Sequence, residues 1–294
     1  MRTIKNIISF ISFSIIILSC NDQVEELKEG QEKINDSIAA KGTDDGSLND
    51  EQTSYNLPSA LQIAYVSKKT DPFFNERFLN NIKNVNRYNT SNYKRAVNFG
   101  IYSFDLANCL FNKNYQKSEE YLKALKEQGG YLGLNSAFEN DKLSERFDNN
   151  LRNEDTLIKI VSEVQLLTNL LFEQKKQKHI IVIAFAGALV ESINISSQVQ
   201  EQKKNKKILA NICEQLLLTK TLLKALEVFK HKEPEISELL NAITAINDSF
   251  RNIPTIKIAL EKEEEIDFNT LNYTESEIKS VTDLVKDLRN KMVN

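Results

Sequence analysis

Two acidic residues are the best candidates for chemistry because each one interrupts a strongly apolar segment. Asp105 lies inside Phe99-Gly-Ile-Tyr-Ser-Phe-Asp-Leu-Ala-Asn-Cys-Leu-Phe, and Glu191 follows the apolar run 180–190. Taking a carboxylate out of water is costly unless a charge or hydrogen bonds compensate for the lost hydration. We therefore expect each acid to have a polar partner inside the fold. The basic residues available as partners are Arg152, Arg146, Lys94 and Arg95.

These acids allow three interpretations. The first, which we favour, is a structural ion pair or a hydrogen bond between helices. The second is a polar pocket in the core, formed by Asp105, Arg152 and Glu191, that binds a small ligand or a cation. The third is catalysis by paired carboxylates.

Other catalytic and metal-binding patterns are missing from the sequence. The chain contains no Gly-rich phosphate loop, HExxH, CxxC or GxSxG motif. Its two histidines, His179 and His231, are far apart in the chain and neither has a second ligand at metal spacing. We therefore predict a protein that is not an enzyme and that needs no metal or cofactor.

The elements that hold these residues are predicted to be helices. Only four prolines and eight glycines occur in 294 residues, so long helices are expected. Apolar residues recur every three or four positions through most of the chain beyond residue 75. One such stripe consists of Leu157, Ile160, Val161, Val164, Leu167 and Leu171. The pattern predicts an all-α fold of eight or nine helices between residues 75 and 293, arranged as an antiparallel multi-helix bundle or as stacked helical hairpins.

The run 180–190 is apolar on every face, which predicts a helix at the centre of the bundle. Its β-branched start leaves a strand as the alternative. Its small residues Ala184, Ala186, Gly187 and Ala188 would let a neighbouring helix approach closely. Two capping boxes, at 136–139 and 274–277, predict helix starts. The segment 253–265 alternates in polarity, but its acidic end favours a helix.

Cysteine and tyrosine residues leave alternatives open. Cys109 and Cys213 lie in apolar helical segments, where they could form a disulfide or pack as buried thiols. Six tyrosines crowd the N-terminal half and could serve recognition or, as we favour, pack in the core or at its rim. They are Tyr88, Tyr93, Tyr102, Tyr115, Tyr121 and Tyr131.

The first 20 residues, MRTIKNIISFISFSIIILSC, combine a short basic start with an apolar stretch too short to span a membrane. The segment Ile17-Leu18-Ser19-Cys20 resembles the lipobox of bacterial lipoproteins. The resemblance implies a signal peptide over 1–19 and acylation of Cys20, so that the membrane is a partner through the lipid anchor. Several acyl chains on one residue give stable anchoring.

The remaining chain is expected to divide into a polar tether, 20–56, and a single helical domain, 57–294. Removal of residues 1–19 takes away Arg2 and Lys5 and no acid, so the net charge changes from −3 to −5. This balance, without a dense basic patch, argues against nucleic acid as a partner. Asn21 stands directly after Cys20, where an aspartate would favour the inner membrane in lipoprotein sorting. The expected location is the cell envelope, with the outer membrane favoured over the inner.

Four blocks of the sequence resemble a family of uncharacterised all-helical lipoproteins of Gram-negative bacteria. The blocks, at 57–64, 98–107, 150–157 and 184–191, are similar to the family patterns LPSPLQIA, GVYGADLAY, NNRDSLL and GGWIEGLY. Asp105 and Glu191 match acidic positions of these patterns. The sequence departs from the patterns at Ser103-Phe104, Glu154 and Leu189, where the family has Gly-Ala, Arg and Trp. The resemblance implies a helical fold and an envelope location, and it implies no activity.

We expect a non-enzymatic envelope lipoprotein with a protein-binding or structural role and an envelope protein as its possible partner. The alternatives are a lipoprotein that binds a small ligand near Asp105 and Glu191, and a hydrolase with an unfamiliar site. A cavity on which both acids converge would favour ligand binding, and a filled core with paired acids would favour the structural role.

The lipobox generates a direct prediction. Cys20→Ser should abolish incorporation of labelled palmitate, because the thiol that carries the lipid is removed. Labelling is measured in growing cells after purification of the full-length chain. Labelling of the variant at the wild-type level would rule out Cys20 as the acylated residue.

Overall fold

A computed structural model describes residues 57–70, 74–139, 142–262 and 266–294. These residues fall in one compact unit. Their α-helices are α1 (Ala60–Thr70), α2 (Asn92–Phe111), α3 (Tyr115–Tyr131), α4 (Asn135–Glu139), α5 (Leu143–Asn149), α6 (Glu154–Gln174), α7 (Lys178–Lys203), α8 (Lys206–Phe229), α9 (Pro234–Arg251), α10 (Pro254–Glu261) and α11 (Glu275–Val293). Two 3₁₀ helices, Glu76–Phe78 and Ile82–Tyr88, precede α2.

The all-α prediction is confirmed, since the described residues contain helices and no strand. Between residues 75 and 293 the described chain forms ten α-helices rather than eight or nine. The excess comes from short helices such as α4 and α5, which are too short to show a repeating apolar stripe in the sequence. The segment 253–265 is helical over Pro254–Glu261, and residues 263–265 lie outside the described residues. The predicted signal and tether, 1–56, lie outside them as well.

Two of the sharp turns between helices use lysine followed by asparagine, whereas the turn between α3 and α4 uses Gly133, with φ of 74°. Lys113 and Lys204 adopt left-handed backbone conformations, with φ of 58° and 48°. The residue after each lysine, Asn114 or Asn205, caps the next helix by accepting a hydrogen bond from a backbone N–H. The two-residue connection at Lys204-Asn205 makes α7 and α8 consecutive helices of a hairpin. These turns explain how a chain with eight glycines forms so many helices.

Helix α7 occupies the centre of the bundle and packs against α2, α8 and α11. Buried residues occur on all of its faces, as the apolar run predicted, and the strand alternative is wrong. The helix extends well beyond residue 190, to Lys203. Of the described helices, α7 alone is long and apolar enough to cross a membrane, and 78% of its most apolar window is buried in protein. This burial is typical of a core helix.

Helices α2 and α7 approach each other closely through one glycine from each. A Cβ added at Gly100 would lie 1.8 Å from the carbonyl oxygen of Ala184, and one added at Gly187 would lie 2.0 Å from that of Val97. Further along, Phe104 and Asn108 of α2 share a cavity wall with residues 195–199 of α7. Both helices therefore advance along this interface in the same direction. Only glycine permits such contact between backbones.

The last helix, α11, begins and ends at defined polar contacts. Thr274 and Glu277 form the predicted capping box at its start. At its end, the Lys94 ammonium donates to the carbonyl of Lys291 at 2.7 Å, and Asn98 Nδ2 donates to that of Met292 at 3.0 Å. These bonds satisfy carbonyls that a helix end leaves without partners. They fix the end of α11 against α2.

Two smaller expectations have different outcomes. The capping box predicted at 136–139 is wrong, because α4 already begins at Asn135 and Ser136 lies inside the helix. Short helices leave little sequence from which to place a boundary. Cys109 and Cys213 are both buried free thiols, so the two do not form a disulfide.

The α2–α7 contact predicts an unusual sign for a glycine-to-alanine change. Alanine is favoured over glycine inside a helix by about 1 kcal/mol, yet Gly100→Ala and Gly187→Ala should each destabilise the protein by about 1–3 kcal/mol or more through overpacking. Gly130→Ala in α3 is the matched control, because its Cβ would meet only the Asn135 side chain, at 3.1 Å. Urea unfolding measures all three, and a stabilised Gly187→Ala variant would contradict the close approach.

Candidate functional site

The candidate site is a buried polar cluster beside the α2–α7 contact, and its strongest interaction joins Glu191 of α7 to Arg289 of α11. Arg289 Nε donates to Glu191 Oε2 at 2.8 Å, and Nη2 donates to Oε1 at 3.1 Å. The Glu191 side chain is fully buried, and the Arg289 side chain is 16% exposed. Two parallel hydrogen bonds fix both groups in one orientation. The pair therefore connects the central helix to the last helix of the chain.

Asp105 lies in the same cluster but has a different kind of partner. Its Oδ2 accepts a hydrogen bond from the backbone N–H of Asn80 at 3.0 Å, and its Oδ1 has no partner within the described structure. The residue is fully buried. Asp105 is thus held by a backbone amide from the segment between the two 3₁₀ helices.

That segment is fixed by three tyrosine hydroxyls. Tyr121 donates to the backbone carbonyl of Asn80 at 2.7 Å, and Tyr88 donates to the side-chain Oδ1 of Asn80 at 3.2 Å. Tyr102 donates to the backbone carbonyl of Asn81 at 3.0 Å. All three rings are buried. The Tyr121 and Tyr102 hydroxyls satisfy backbone carbonyls that lie outside regular secondary structure, and the Tyr88 hydroxyl holds the Asn80 side chain.

Five of the six tyrosines follow the interpretation that we favoured, and Tyr131 does not. Tyr88, Tyr102 and Tyr121 belong to the core, Tyr93 and Tyr115 are half-buried at its rim, and Tyr131 is exposed. Burial raises the pKa of Tyr93 to about 12, and the charges of Glu238 and Glu235 add to that shift. The Tyr93 hydroxyl is therefore neutral near physiological pH.

The cluster holds two acids and one guanidinium group, so its charges do not balance if both acids are ionised. Burial raises the pKa of Asp105 well above its ordinary value, and the charge of Glu191 adds to that shift. Burial also raises the pKa of Glu191, although Arg289 opposes the change. Because Glu191 has the bidentate contact, we assign the negative charge to Glu191 and a proton to Asp105 near neutral pH.

The basic residues expected beside the acids lie elsewhere. Arg152 is exposed in the turn between α5 and α6, so the structure does not place it with Asp105 and Glu191. Arg146 pairs with Glu163 at 2.8 Å, Arg95 donates to Asn89 and Asn92, and Lys94 donates to the end of α11. Thus the partner of Glu191 comes from α11, the last helix of the chain.

Arg289 was missed because it appeared to be an ordinary charged residue on an amphipathic helix. A signal was nevertheless present in its spacing. Arg289 lies four residues after Val285 and three before Met292, both buried in the apolar stripe of α11. A guanidinium group at that position must either extend to solvent or meet an acid in the core. Asn80 gave no comparable signal, because its role depends on its backbone N–H.

The arrangement offers little to a reactant. Both carboxyl groups are fully buried, so a reacting molecule would have to displace core side chains to reach them. Among the described residues, no group of three His, Cys, Asp or Glu side chains could hold a metal ion. What the cluster does supply is a rigid connection among α2, α7, α11 and the segment before α2.

The histidines lie away from this cluster. His179 Nε2 is 3.6 Å from Glu233 Oε1, and its ring packs against Phe229. Burial lowers the pKa of His179, and the charge of Lys232 adds to this effect. His231 is exposed beyond the end of α8. Both positions are compatible with packing and surface roles.

No protein-family model, curated protein or solved structure matches the chain.

The ion pair predicts strong coupling between Glu191 and Arg289. Glu191→Leu or Arg289→Leu should each cost about 3–5 kcal/mol of unfolding free energy, because each leaves a buried charge without its partner. The double variant should cost clearly less than the sum of the two single changes. The exposed Arg146–Glu163 pair is the control, where removal of one partner should cost about 0–1 kcal/mol. Additive costs at 191 and 289 in denaturant unfolding would show that the pair is not a unit.

The charge assignment predicts how stability changes with pH. A folded-state pKa above the ordinary value of 3.8 means that the contribution of Asp105 is complete below about pH 4 and is lost as the pH rises towards the folded-state pKa. In Asp105→Asn the amide replaces the neutral acid and does not titrate. The stability of the wild type relative to this variant should therefore fall as the pH rises above about 4, with a slope of up to about 1.4 kcal/mol per pH unit.

The measurement is urea unfolding at each pH. Asp148→Asn, at an exposed position on α5, controls for the change in net charge. A wild type that gains stability over Asp105→Asn as the pH rises would contradict a protonated Asp105.

Proposed function

We propose that this protein is a membrane-anchored lipoprotein of the cell envelope with a non-enzymatic, protein-binding or structural role. The non-enzymatic part of the proposal is supported by the way in which the two buried acids are held. Glu191 is neutralised by Arg289, and Asp105 is bound to a backbone amide, with both carboxyl groups fully buried. Groups held in this way stabilise a fold and are poorly placed to meet a substrate.

The location in this proposal is supported by the sequence. The segment Ile17-Leu18-Ser19-Cys20 resembles a lipobox, and the four blocks beginning at residue 57 resemble a family of helical lipoproteins from Gram-negative bacteria. A lipid on Cys20 and a polar tether would hold the helical domain near a membrane, with the outer membrane favoured over the inner. The proposed partner is another protein of the envelope.

A ligand-binding role near Asp105 and Glu191 is the second candidate. Its support is Asp105 Oδ1, a buried acceptor without a partner in the described structure. A hydrogen-bond acceptor would complete the protonated form of this group, and a small cation would complete its ionised form. Full burial of the acids argues for the first candidate, because a ligand needs a path that the packed helices do not provide. A hydrolase with an unfamiliar site has no observation in its favour.

The search for a partner can use the exposed apolar side chains as crosslinking positions. Five such residues lie on five different helices, so no single patch is favoured: Val66, Tyr131, Leu166, Ile258 and Leu284. A photoreactive amino acid at each position, in the full-length lipidated chain, should identify the contacted face in intact cells. The control position is Lys224, which is exposed on α8.

A single envelope protein crosslinked at one or two of these positions, and copurified in a constant ratio, would support a binding role. The Cys20→Ser variant should lose this crosslink if the anchor brings the partners together. Uniform, low crosslinking at all six positions, together with a thermal shift caused by a small molecule and removed by Asp105→Asn, would favour the ligand-binding candidate instead.

A further inference from the structure

The segment 75–89, which we call the strap, covers Asp105 but is packed only lightly against the helices. It contains both 3₁₀ helices, and three of its side chains are buried, those of Asn80, Val85 and Tyr88. Its remaining apolar side chains are half-buried: Phe78, Leu79 and Ile82. A segment with so little apolar burial depends on its hydrogen bonds to stay in place.

Four hydrogen bonds from the bundle hold the backbone of the strap. The side chains that make them are Asp105, Tyr102, Tyr121 and Gln128. Their partners are the N–H of Asn80 and the backbone carbonyls of Asn80, Asn81 and Val85. A backbone N–H only donates and a carbonyl only accepts, so the direction of each bond is fixed. Among the described residues, the backbone–backbone bonds of the strap are local and span three positions.

The strap forms one wall around Asp105. Asp105 is fully buried, and its Oδ2 lies 3.0 Å from the backbone nitrogen of Asn80. Removal of the strap would therefore bring water to this oxygen. The other titratable or charged groups around Asp105 are Glu191 of α7, Arg289 of α11, Tyr102 and Cys109 of α2, Tyr121 of α3 and Tyr88 of the strap.

Asp105 is the group among these whose charge depends on the strap. Burial raises its pKa while the strap is closed, and the charge of Glu191 adds to that shift. Glu191 keeps Arg289 as its partner in either position of the strap, because that pair joins two helices. Burial also raises the pKa of Tyr102, Tyr121 and Cys109, so these groups remain neutral near physiological pH.

Water at Asp105 changes the balance between the closed and open positions. Once the strap has left, the pKa of Asp105 falls towards its ordinary value of 3.8. Above about pH 4 the open form then releases a proton that the closed form retains. Each rise in pH therefore favours opening until Asp105 ionises in the closed form as well.

We propose that the strap is a lid that opens as a unit, and that its opening is coupled to the loss of one proton from Asp105. The closed form predominates near neutral pH, and the open fraction grows as the pH rises. Opening uncovers Asp105 and the hydroxyls of Tyr102 and Tyr121 while the helices stay packed. The proposal goes beyond the envelope role and does not rest on it.

The test is hydrogen exchange of the full-length chain, followed by peptide mass spectrometry from about pH 5 to 8. Protection is the exchange rate of unstructured peptides of the same sequence divided by the rate in the protein. Amides of the strap should be about tenfold or more less protected than those of α7, because the strap opens without the bundle. Their protection should also fall by up to about tenfold per pH unit.

Matched variants assign the pH dependence. In Asp105→Asn the protection of the strap should not change with pH, whereas Asp148→Asn, an exposed change on α5, should behave as the wild type. Equal protection of the strap and α7 would show that the strap opens only with the whole fold and would overturn the proposal. A pH dependence that is missing from the wild type, or that persists in Asp105→Asn, would overturn it too.

If Asp105→Asn does not fold, Tyr121→Phe provides the second variant. It removes the hydroxyl that binds the Asn80 carbonyl and keeps Asp105. The protection of the strap should drop by about tenfold at each pH, with its pH dependence unchanged. Tyr115→Phe, at the half-buried start of α3, is the control and should keep the wild-type protection. Wild-type protection in Tyr121→Phe would contradict a strap held by these bonds.

Discussion

The buried cluster and the helices around it are arranged about the contact between the backbones of α2 and α7. Gly100 and Gly187 let the two helices touch where any side chain would separate them. Because the helices advance in the same direction from this contact, Asp105 and Glu191 follow it on neighbouring turns. Two acids close together in a dry interior require compensation. The chain provides it through Arg289 from its last helix and through the Asn80 amide from the segment before α2.

The buried cluster therefore joins parts of the chain that are distant in sequence. Arg289 reaches Glu191 across 98 positions, and Asn80 reaches Asp105 across 25. The tyrosine hydroxyls fix the segment that contains Asn80. Lys94 and Asn98 of α2 fix the end of α11 by donating to its last carbonyls. A buried ion pair is weak evidence of net stability, but it penalises arrangements that would leave either charge alone. Its role here is to specify one packing of the helices.

Much of this fold follows from sequence, because helical periodicity is a local property. The apolar run that includes Gly187 predicts a central helix. The small residues within the run predict the position at which a neighbouring helix approaches closely. Thr274 and Glu277 predict the start of α11 by their own side chains. The partner of Glu191 depends instead on how α11 packs across the bundle, which no local pattern encodes. The spacing of Arg289 makes it a candidate, but only the packing of α11 against α7 shows that it, and not Arg152, is the partner of Glu191. The capping box at 136–139 fails for a related reason, since a five-residue helix is positioned by its surroundings.

If Asp105 and Glu191 are sealed inside the fold, a water-soluble reagent should not reach them. Labelling of carboxyl groups by a water-soluble carbodiimide and an amine, followed by peptide mass spectrometry of the folded full-length chain, measures this access. Glu163 and Asp148 are exposed and serve as positive controls in the same sample. We predict that both controls are modified while Asp105 and Glu191 stay unmodified until the protein unfolds. Modification of Asp105 and Glu191 in the folded protein, at rates near those of the controls, would contradict the sealed cluster and indicate an accessible site.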